Sequence, residues 1–287
     1  MKKLDLHMHS KFSDGDFSTF DLLALCQSEG LEIVSVTDHD TMDHLEESQK
    51  AGEEFGIKVI TGTEISVSFS GQNFHLLGYG IDPKDLRLKE FLDKVKENRV
   101  WRLKEIAKKF QDLGFILDTE ELLKKTDGTI GRPLIAKAVF NDKRNKQRLS
   151  DFPEITSYHI LLDRFLTKGK EAFVDLDKIE FSKGIQMVHQ AGGLAVWAHP
   201  LWNLAKKPED FEPILAQLIA FGLDGVEVFY PLFSQEQTIR LFDASRKNKL
   251  LMTAGSDFHT FGHEVYNGIA VWQDYGLEWD LDPRLLK

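Results

Sequence analysis

The sequence predicts an α/β protein with one barrel-sized domain and a helical insertion. Its 287 residues are more than a small sandwich or bundle contains. They suit a barrel of about 250 residues with an additional segment. Short apolar runs that end in polar residues alternate with helical stretches, which is the rhythm of βα units. That rhythm is interrupted in the middle of the chain. We therefore expect an α/β domain from residues 1–82 and 176–287, with residues 83–175 inserted as helices that cover the mouth of an active site.

The predicted strands are the apolar runs of the first and last thirds of the chain. They cover residues 4–9, 33–38, 59–64, 74–79, 194–199, 225–229 and 250–257. Between the first two strands, Ser18-Thr19-Phe20-Asp21 has the pattern of a helix start, where a side-chain oxygen and an acidic group serve the first turn. The first helix is therefore expected to begin at this segment.

The insertion is predicted from helical spacing of apolar residues with no strand between them. The repeating positions are Leu92, Val95, Leu103, Ile106, Phe110 and Leu113. A second helix is expected to begin after Asp118, and a third at Gly131-Arg132-Pro133, with Pro133 at the first helical position, where its missing N–H costs nothing.

Charge and composition exclude several classes of protein. The chain has 36 basic and 46 acidic residues, a formal charge of −10, which argues against a protein that coats duplex nucleic acid. Residues 124–148 differ, because eight basic side chains there outnumber two acidic ones. This segment is either a solvated helical face or a local attractor of an anionic substrate.

No apolar run approaches the roughly 20 residues that span a bilayer, and the N-terminus has no apolar segment of a secretory signal. We therefore expect a cytoplasmic protein that binds no membrane. Its single cysteine, Cys26, cannot form an internal disulfide or a cysteine-based zinc site and is expected to be buried and inert.

Histidines and carboxylates recur where predicted strands end. Asp5, His7 and His9 share one face of the first strand, because side chains alternate along a strand. Such a pair of histidines alone is weak evidence, since two core or surface histidines can occur by chance. The same coincidence follows other strands, at His39, Glu64, His75, His199, Asp257 and His259. Six histidines with several carboxylates at strand ends indicate metal coordination.

These motifs resemble those of the PHP (polymerase and histidinol phosphatase) family of metal-dependent phosphoesterases, over nearly the whole chain. They stand here as His7-Met8-His9, Asp14, Thr37-Asp38-His39-Asp40, Glu64, His75, Ala198-His199-Pro200 and Ser256-Asp257-Phe258-His259. The resemblance implies a distorted (β/α)7 TIM-like barrel with a trinuclear metal centre. No ligand of the family is missing from this chain.

The resemblance also assigns the ligands. His7, His9, Glu64 and Asp257 would hold one ion, Glu64, His75 and His199 a second, and Asp14, His39 and His259 the third. Six imidazoles suit Zn, Mn or Fe better than Ca or Mg, which prefer oxygen ligands. A hydroxide that bridges the ions, held by Glu64 and the other ligands, would attack phosphorus. Asp5 and Asp40 are expected to orient ligand histidines, unless they are ordinary capping residues.

Arg132 is the predicted contact for a substrate phosphate, because it places a cation at the anion-favouring start of a helix. Gly131-Arg132-Pro133 also resembles the insertion motif of a PHP subgroup that acts on nucleotides with 3′ and 5′ phosphates and on short oligonucleotides. Where that subgroup often has His after Pro, this chain has Leu134.

The leading functional prediction is a phosphomonoesterase that acts on a small nucleotide, such as the 3′ phosphate of a 3′,5′-bisphosphate, or on short oligonucleotides. The alternatives are a histidinol-phosphate phosphatase, an amidohydrolase and a PHP module without catalytic activity. The sequence predicts neither the oligomeric state nor the roles of Arg99, Trp202 and His263. The other histidines, His44, His159 and His189, are expected at the surface or at helix caps.

Overall fold

The computed structural model describes residues 3–126, 129–176, 178–261 and 268–287. They form two compact units. The first contains Met1–Leu92 with Lys178–Lys287, and the second contains Asp93–Asp177. Strands of the first unit alternate with helices and the second unit is helical, so the predicted α/β class is confirmed.

The strands form two sheets. They are β1 (Leu4–Met8), β2 (Ile33–Val36), β3 (Lys58–Val59), β4 (Gly62–Phe69), β5 (Gln72–Tyr79), β6 (Ile179–Glu180), β7 (Leu194–Trp197), β8 (Gly225–Phe229) and β9 (Leu251–Ala254). One sheet has the order β1-β2-β3 and is parallel. The other has the order β6-β4-β5-β7-β8-β9, in which β5 is antiparallel to both of its neighbours. Single bridges between Met8 and Phe258 and between His39 and Glu64 link the two sheets.

The helices follow the strands in most of the first unit and make up the second. They are α1 (Thr19–Ser28), α2 (Leu45–Phe55), α3 (Leu86–Asp112), α4 (Thr119–Lys125), α5 (Arg132–Asn141), α6 (Lys146–Leu149), α7 (Tyr158–Leu161), α8 (Phe181–Gln190), α9 (Pro200–Asn203), α10 (Phe211–Ala220) and α11 (Gln235–Asn248). The predicted start of α1 is confirmed, since the Ser18 side chain accepts a hydrogen bond from the Asp21 N–H.

The strand predicted over residues 59–64 is wrong, because the chain changes sheets there. β3 ends at Val59, and β4 begins at Gly62 and continues to Phe69. A tight turn follows, with φ of 50° at Ser70 and 72° at Gly71. Two successive residues of positive φ fit a hairpin turn whose twist matches that of the strands. β4 and β5 therefore pair directly as an antiparallel hairpin, without the expected intervening helix.

Three apolar clusters stabilise the two units. The largest packs the strands of the six-stranded sheet against α8, α10 and α11 and includes Leu76, Ile185 and Leu218. A smaller cluster of the first unit contains Cys26, which is buried as predicted. Among the described residues, no helix has the length and apolarity needed to cross a membrane.

The second unit has its own core, formed by residues of α3, α5 and α7 such as Ile106, Phe110 and Ile135. The predicted helical spacing is confirmed for Leu103, Ile106 and Phe110, which are fully buried. α5 begins at Arg132, with Gly131 as the N-cap. Pro133 is therefore the second helical residue and not the first, a position where the absent N–H is equally harmless.

Candidate metal centre

The nine residues predicted as metal ligands lie in one cluster of the first unit. His7 belongs to β1, Glu64 to β4 and His75 to β5. The others follow strand ends: His9 and Asp14 after β1, His39 after β2, His199 after β7, and Asp257 and His259 after β9. Each has a nitrogen or oxygen atom within 3.3 Å of another member.

Glu64 lies at the centre of this cluster and is fully buried. Its Oε1 is 2.9 Å from His75 Nδ1 and 3.1 Å from His199 Nε2. Its Oε2 is 2.9 Å from His39 Nδ1 and 3.3 Å from the Nε2 atoms of both His7 and His9. One carboxylate thus faces five imidazoles, an arrangement that serves metal coordination better than packing.

Three groups in the cluster have ligand atoms that all lie within 4.8 Å of one another. They are His7, His9, Glu64 and Asp257; His39, Glu64 and His75; and His9, Asp14, His39 and His259. The first group contains the residues expected for one ion. The second group contains His39 instead of the expected His199, whose Nε2 is 3.4 Å from His75 Nδ1. The third group contains the expected Asp14, His39 and His259 and also His9.

The chemistry of these residues fits divalent metal ions. His7 Nε2, His9 Nε2, Asp14 Oδ1 and Glu64 Oε2 are buried in the cluster without a hydrogen-bond partner. Buried polar atoms without partners are costly, and such atoms are rare in folded proteins. Because imidazole and carboxylate lone pairs that converge in this way are ligands of transition metals, bound ions would satisfy these atoms.

Two members of the cluster, Glu64 and His75, have pKa values shifted toward the form that binds metals. Burial would raise the pKa of Glu64, but attraction to His75, His39 and His7 outweighs burial and lowers this pKa well below its usual range. Burial lowers the pKa of His75 to about 4. At neutral pH the central carboxylate is therefore charged and the His75 ring is neutral, which are the forms that bind metals.

Three of the predicted ligand histidines have the Nδ1 atom beside a group other than the nine predicted ligand side chains. His199 Nδ1 is 3.0 Å from Asn203 Oδ1, and His259 Nδ1 is 2.7 Å from the Asp257 carbonyl oxygen. His9 Nδ1 is 3.3 Å from the Ser13 hydroxyl. With Nδ1 engaged in this way, Nε2 of each ring faces the cluster.

Asp5 and Asp40, which were expected to orient ligand histidines, accept hydrogen bonds from the backbone. Asp5 accepts bonds from the N–H groups of His7, Ser256 and Ala270, and burial raises its pKa to about 6. Asp40 accepts a bond from the N–H of Ser66. Asp5 thereby ties the segment that contains His7 to the segment that contains Asp257.

Sequence reasoning missed Glu227, a fully buried residue of β8. Its Oε1 is 2.9 Å from His7 Nδ1, and its Oε2 accepts a hydrogen bond from the N–H of His199. The available signal was a single acidic residue in the apolar run Gly225-Val226-Glu227-Val228-Phe229. A lone carboxylate in such a strand is expensive to bury unless it has a partner.

The prediction that His44 lies at the surface or caps a helix is wrong. His44 is fully buried, and its side chain makes no capping hydrogen bond although it precedes α2. Its Nε2 is 3.0 Å from the carbonyl oxygen of Val36 and 3.1 Å from that of Gly62. Because these acceptors belong to β2 and β4, His44 joins the two sheets.

We expect His44→Ala to lower the free energy of unfolding by about 1–3 kcal/mol, the cost of leaving buried polar groups without partners. His189→Ala is the control, since the His189 side chain is 39% exposed and pairs with Asp224, a contact worth at most about 1 kcal/mol. Urea denaturation of both variants measures the difference. Equal stabilities would contradict the structural role of His44.

Arg132 has two arginines near it in the second unit. The carbonyl oxygen of Ile130 is 3.5 Å from Arg99 Nη1 and 3.4 Å from Arg102 Nη2. Arg132 donates a hydrogen bond to the carbonyl oxygen of Leu166, and burial together with repulsion from Arg99 lowers its pKa. Asp175 attracts Arg132 and offsets part of this charge, and the remaining cations favour a bound anion.

Trp202 and His263 have no role predicted from the sequence. Trp202 lies in α9, three residues after His199, and is 47% exposed. His263 lies outside the described residues.

Comparison with protein families and curated proteins gives consistent matches. The PHP domain family matches residues 5–191. The chain is 30% identical to a 5′-3′ exoribonuclease of Haemophilus influenzae, over 90% of each chain. It is 29% identical to a phosphoribosyl 1,2-cyclic phosphate 1,2-diphosphodiesterase of Eggerthella lenta, over 93% of this chain and 98% of that protein. It is 26% identical to a 3′,5′-nucleoside bisphosphate phosphatase of Chromobacterium violaceum, over 99% and 94%.

Solved structures show the same architecture. A protein from Bifidobacterium adolescentis described as a metal-dependent phosphoesterase superimposes with a TM-score of 0.79 at 26% identity, over 95% of this chain and 93% of that one. A protein from Chromobacterium violaceum described as an amidohydrolase, with bound sulfate and no metal, also gives 0.79, at 25% identity over 98% and 93%. The described residues therefore have the fold of these proteins.

Proposed function

The chain belongs to the PHP domain family, and from this membership we propose that it removes a phosphate from small nucleotides, with short oligonucleotides as further substrates. It is a phosphoric ester hydrolase. The finer proposal concerns the substrate, for which the 3′ phosphate of a 3′,5′-nucleoside bisphosphate is the leading candidate.

The observation that carries this proposal is the buried cluster around Glu64. Six imidazoles and three carboxylates converge there. We propose that all nine are metal ligands and that they hold three divalent ions, with Mn, Zn and Fe as the candidates. Three divalent ions against three carboxylates leave a formal charge of +3, which attracts a phosphate although the chain as a whole is acidic.

The residues of the cluster have separate tasks in this reaction. Bound divalent ions would supply Lewis acidity, which activates water and neutralises the oxygens of the phosphate. Glu64 holds five imidazoles around one negative charge. Asp257 adds a second carboxylate, 3.0 Å from His9 Nε2, and its other oxygen accepts a hydrogen bond from the Tyr230 hydroxyl. No serine or cysteine nucleophile is needed, because the attacking oxygen comes from water.

We also propose that the two sheets form a distorted barrel. Its support is the pair of bridges between the two sheets, Met8 with Phe258 and His39 with Glu64. His39 and Glu64 are proposed ligands, and Met8 and Phe258 are each adjacent to proposed ligands in the sequence. Closure of the strands at these points would explain how residues from distant segments meet in one cluster.

The substrate proposal draws on two further observations. The relatives include a 3′,5′-nucleoside bisphosphate phosphatase and a 5′-3′ exoribonuclease, and both of these activities act on phosphate esters of nucleotides. The second unit gathers Arg99, Arg102 and Arg132. We propose that Arg132 binds a substrate phosphate other than the one that is cleaved.

The alternatives make different demands on the chain. A histidinol-phosphate phosphatase would not need a basic insertion. An amidohydrolase would commonly bridge its metals with a modified lysine, and Glu64 has that central place here. A PHP module without catalytic activity would not need a complete ligand set.

Metal analysis tests the enzyme proposal first. We expect purified protein dialysed against Mn²⁺ to retain about three ions per chain by elemental analysis, and we expect chelation to abolish phosphatase activity, since the ions supply the charge that stabilises the transition state. Protein that retains no metal would instead favour a structural module, and full activity after chelation would contradict a metal-dependent reaction.

A screen of phosphorylated metabolites in Mn²⁺ then tests the substrate. We expect 3′,5′-adenosine bisphosphate to give a higher kcat/KM than a simple monophosphate or histidinol phosphate. A cyclic ribose phosphate belongs in the same screen, since one relative is named for a cyclic phosphate substrate. If either histidinol phosphate or the cyclic phosphate is the best substrate, the bisphosphate proposal is wrong.

A further inference from the structure

Glu227 contacts two residues of the metal cluster with one carboxylate. The side chain is fully buried in β8, where every residue is buried. Oε1 is 2.9 Å from His7 Nδ1, and Oε2 is 2.8 Å from the backbone nitrogen of His199. The proposed ligand sets assign His7 and His199 to two different ions. Glu227 therefore connects two parts of the centre.

The contact with His7 determines which ring nitrogen faces the metals. A neutral imidazole has one N–H donor and one acceptor nitrogen. A carboxylate beside Nδ1 requires the proton on Nδ1, which leaves the lone pair on Nε2. That Nε2 is 3.3 Å from Glu64 Oε2 and 3.4 Å from Asp257 Oδ1, so the lone pair is directed into the cluster.

The contact with His199 acts on the backbone. His199 has φ 28° and ψ 56°, a left-handed conformation that is unfavourable for a residue other than glycine. The hydrogen bond from its N–H to Glu227 helps to hold this conformation. The side chain then extends between Asn203 and Glu64, with Nε2 3.1 Å from Glu64 Oε1.

The packing around these contacts is close on the side of Gly255. A Cβ atom at Gly255 would lie 2.3 Å from His7 Cβ and 3.0 Å from Glu227 Oε1. The absence of a side chain at Gly255 thus allows the end of β9 to approach the pair. His7 and Glu227 are consequently fixed from two sides.

We propose that Glu227 is a positioning residue of the metal centre, which fixes His7 with the proton on Nδ1 and holds the backbone of His199, so that both rings present Nε2 to metal ions. This inference rests on the proposed function, because it requires that the cluster binds metal. Glu227 does not need to touch the substrate or an ion to have this effect.

Glu227→Gln separates this role from simple space filling, because glutamine has the same shape with one acceptor oxygen instead of two. The amide oxygen can accept from His7 or from the His199 N–H, but not from both. If the amide N–H₂ faces His7, the ring must move its proton to Nε2 and can no longer bind metal through that atom. If it faces the His199 N–H, two donors meet and the backbone conformation is lost.

Asp224→Asn is a matched control, at the residue that directly precedes the strand of Glu227. Asp224 directly precedes β8, and its Oδ2 accepts a hydrogen bond from the Ala195 N–H and is 2.7 Å from His189 Nε2. It thus makes the same two kinds of contact as Glu227, with a backbone N–H and an imidazole, but its imidazole partner is not one of the nine proposed ligands. Its replacement should leave metal binding unchanged.

The test is the affinity of each protein for Mn²⁺ and Zn²⁺, measured by elemental analysis after dialysis and by the rise in Tm on metal addition. We expect Glu227→Gln to bind metal 10- to 100-fold more weakly, the usual effect of removing a hydrogen-bond partner of a ligand. Wild type and Asp224→Asn should bind equally well. Equal affinity in Glu227→Gln would overturn the inference, whereas a wild type that binds no metal would overturn the proposed function instead.

A second measurement does not depend on the variant folding. In ¹⁵N NMR spectra of the Zn²⁺-loaded wild type, His7 should carry its proton on Nδ1, with a strongly deshielded N–H, and have no proton on Nε2. A proton on Nε2, or a Nδ1 proton without that deshielding, would overturn the role assigned to Glu227.

Discussion

Glu64→Gln is expected to reduce kcat by about 10³-fold or more and to lower the number of bound ions. The loss should exceed the 10²–10³ of a single transition-state contact, because one substitution affects five imidazoles. Glu64 Oε1 and Oε2 both lie within 3.3 Å of ligand nitrogens. An amide removes the charge and turns one of the two acceptors into a donor, so two of the three proposed ions lose a ligand.

Phosphatase assays and elemental analysis of the purified variant measure both effects. Glu212→Gln is the control, because it makes the same chemical change in a glutamate that accepts a hydrogen bond from Arg240 at the surface. Circular dichroism should show both variants folded. Normal activity and metal content in Glu64→Gln would remove Glu64 from the centre.

The convergence of the nine proposed ligands could be predicted from the sequence because their signals are local. His7 and His9 are two residues apart at the end of the first strand, and Asp257 and His259 follow the last strand at the same spacing. Each pair is visible within three residues. Their convergence follows from a general property of α/β folds, in which polar residues at strand ends meet on one side.

Residues whose role depends on distant partners could not be predicted in this way. Glu227 is 220 residues from His7 in the sequence, and nothing near it indicates a histidine partner. The mixed sequence surroundings of His44 predict a residue at the surface or at a helix cap, yet its acceptors lie on β2 and β4. Both side chains satisfy buried polar atoms of other segments, and only the tertiary structure reveals such pairs.

The β4–β5 hairpin was missed for a related reason. Residues 59–64 are apolar enough to read as one strand, and the alternation of strands and helices favoured a helix before the next one. Ser70 and Gly71 form the turn instead. The hairpin places Ser66 opposite His75 and Glu64 opposite Leu77, so Glu64 and His75 become diagonal neighbours on one face of the sheet.

Arg132→Ala is expected to raise KM for 3′,5′-adenosine bisphosphate with little change in kcat. If the metal ions hold the phosphate that is cleaved, Arg132 would hold the other one. A charge-assisted bidentate contact contributes about 1.5–3 kcal/mol, or roughly 10- to 150-fold in binding. For a simple monophosphate, which lacks the second phosphate, KM should rise much less. Arg132→Lys should give an intermediate value, since it keeps the charge but not the planar fork.

Arg148→Ala distinguishes substrate binding from loss of packing in the second unit. Arg132 donates to the carbonyl oxygen of Leu166 and lies 5.7 Å from the ring of Phe173. Arg148 likewise donates to a carbonyl oxygen, that of Leu113, and lies 4.8 Å from the ring of Phe152. Its replacement therefore removes similar structural contacts and should leave KM for the bisphosphate near the wild-type value. If Arg132→Ala and Arg148→Ala raise KM equally, Arg132 does not bind the second phosphate. The same conclusion follows if Arg132→Ala raises KM to the same extent for the bisphosphate, the monophosphate and histidinol phosphate.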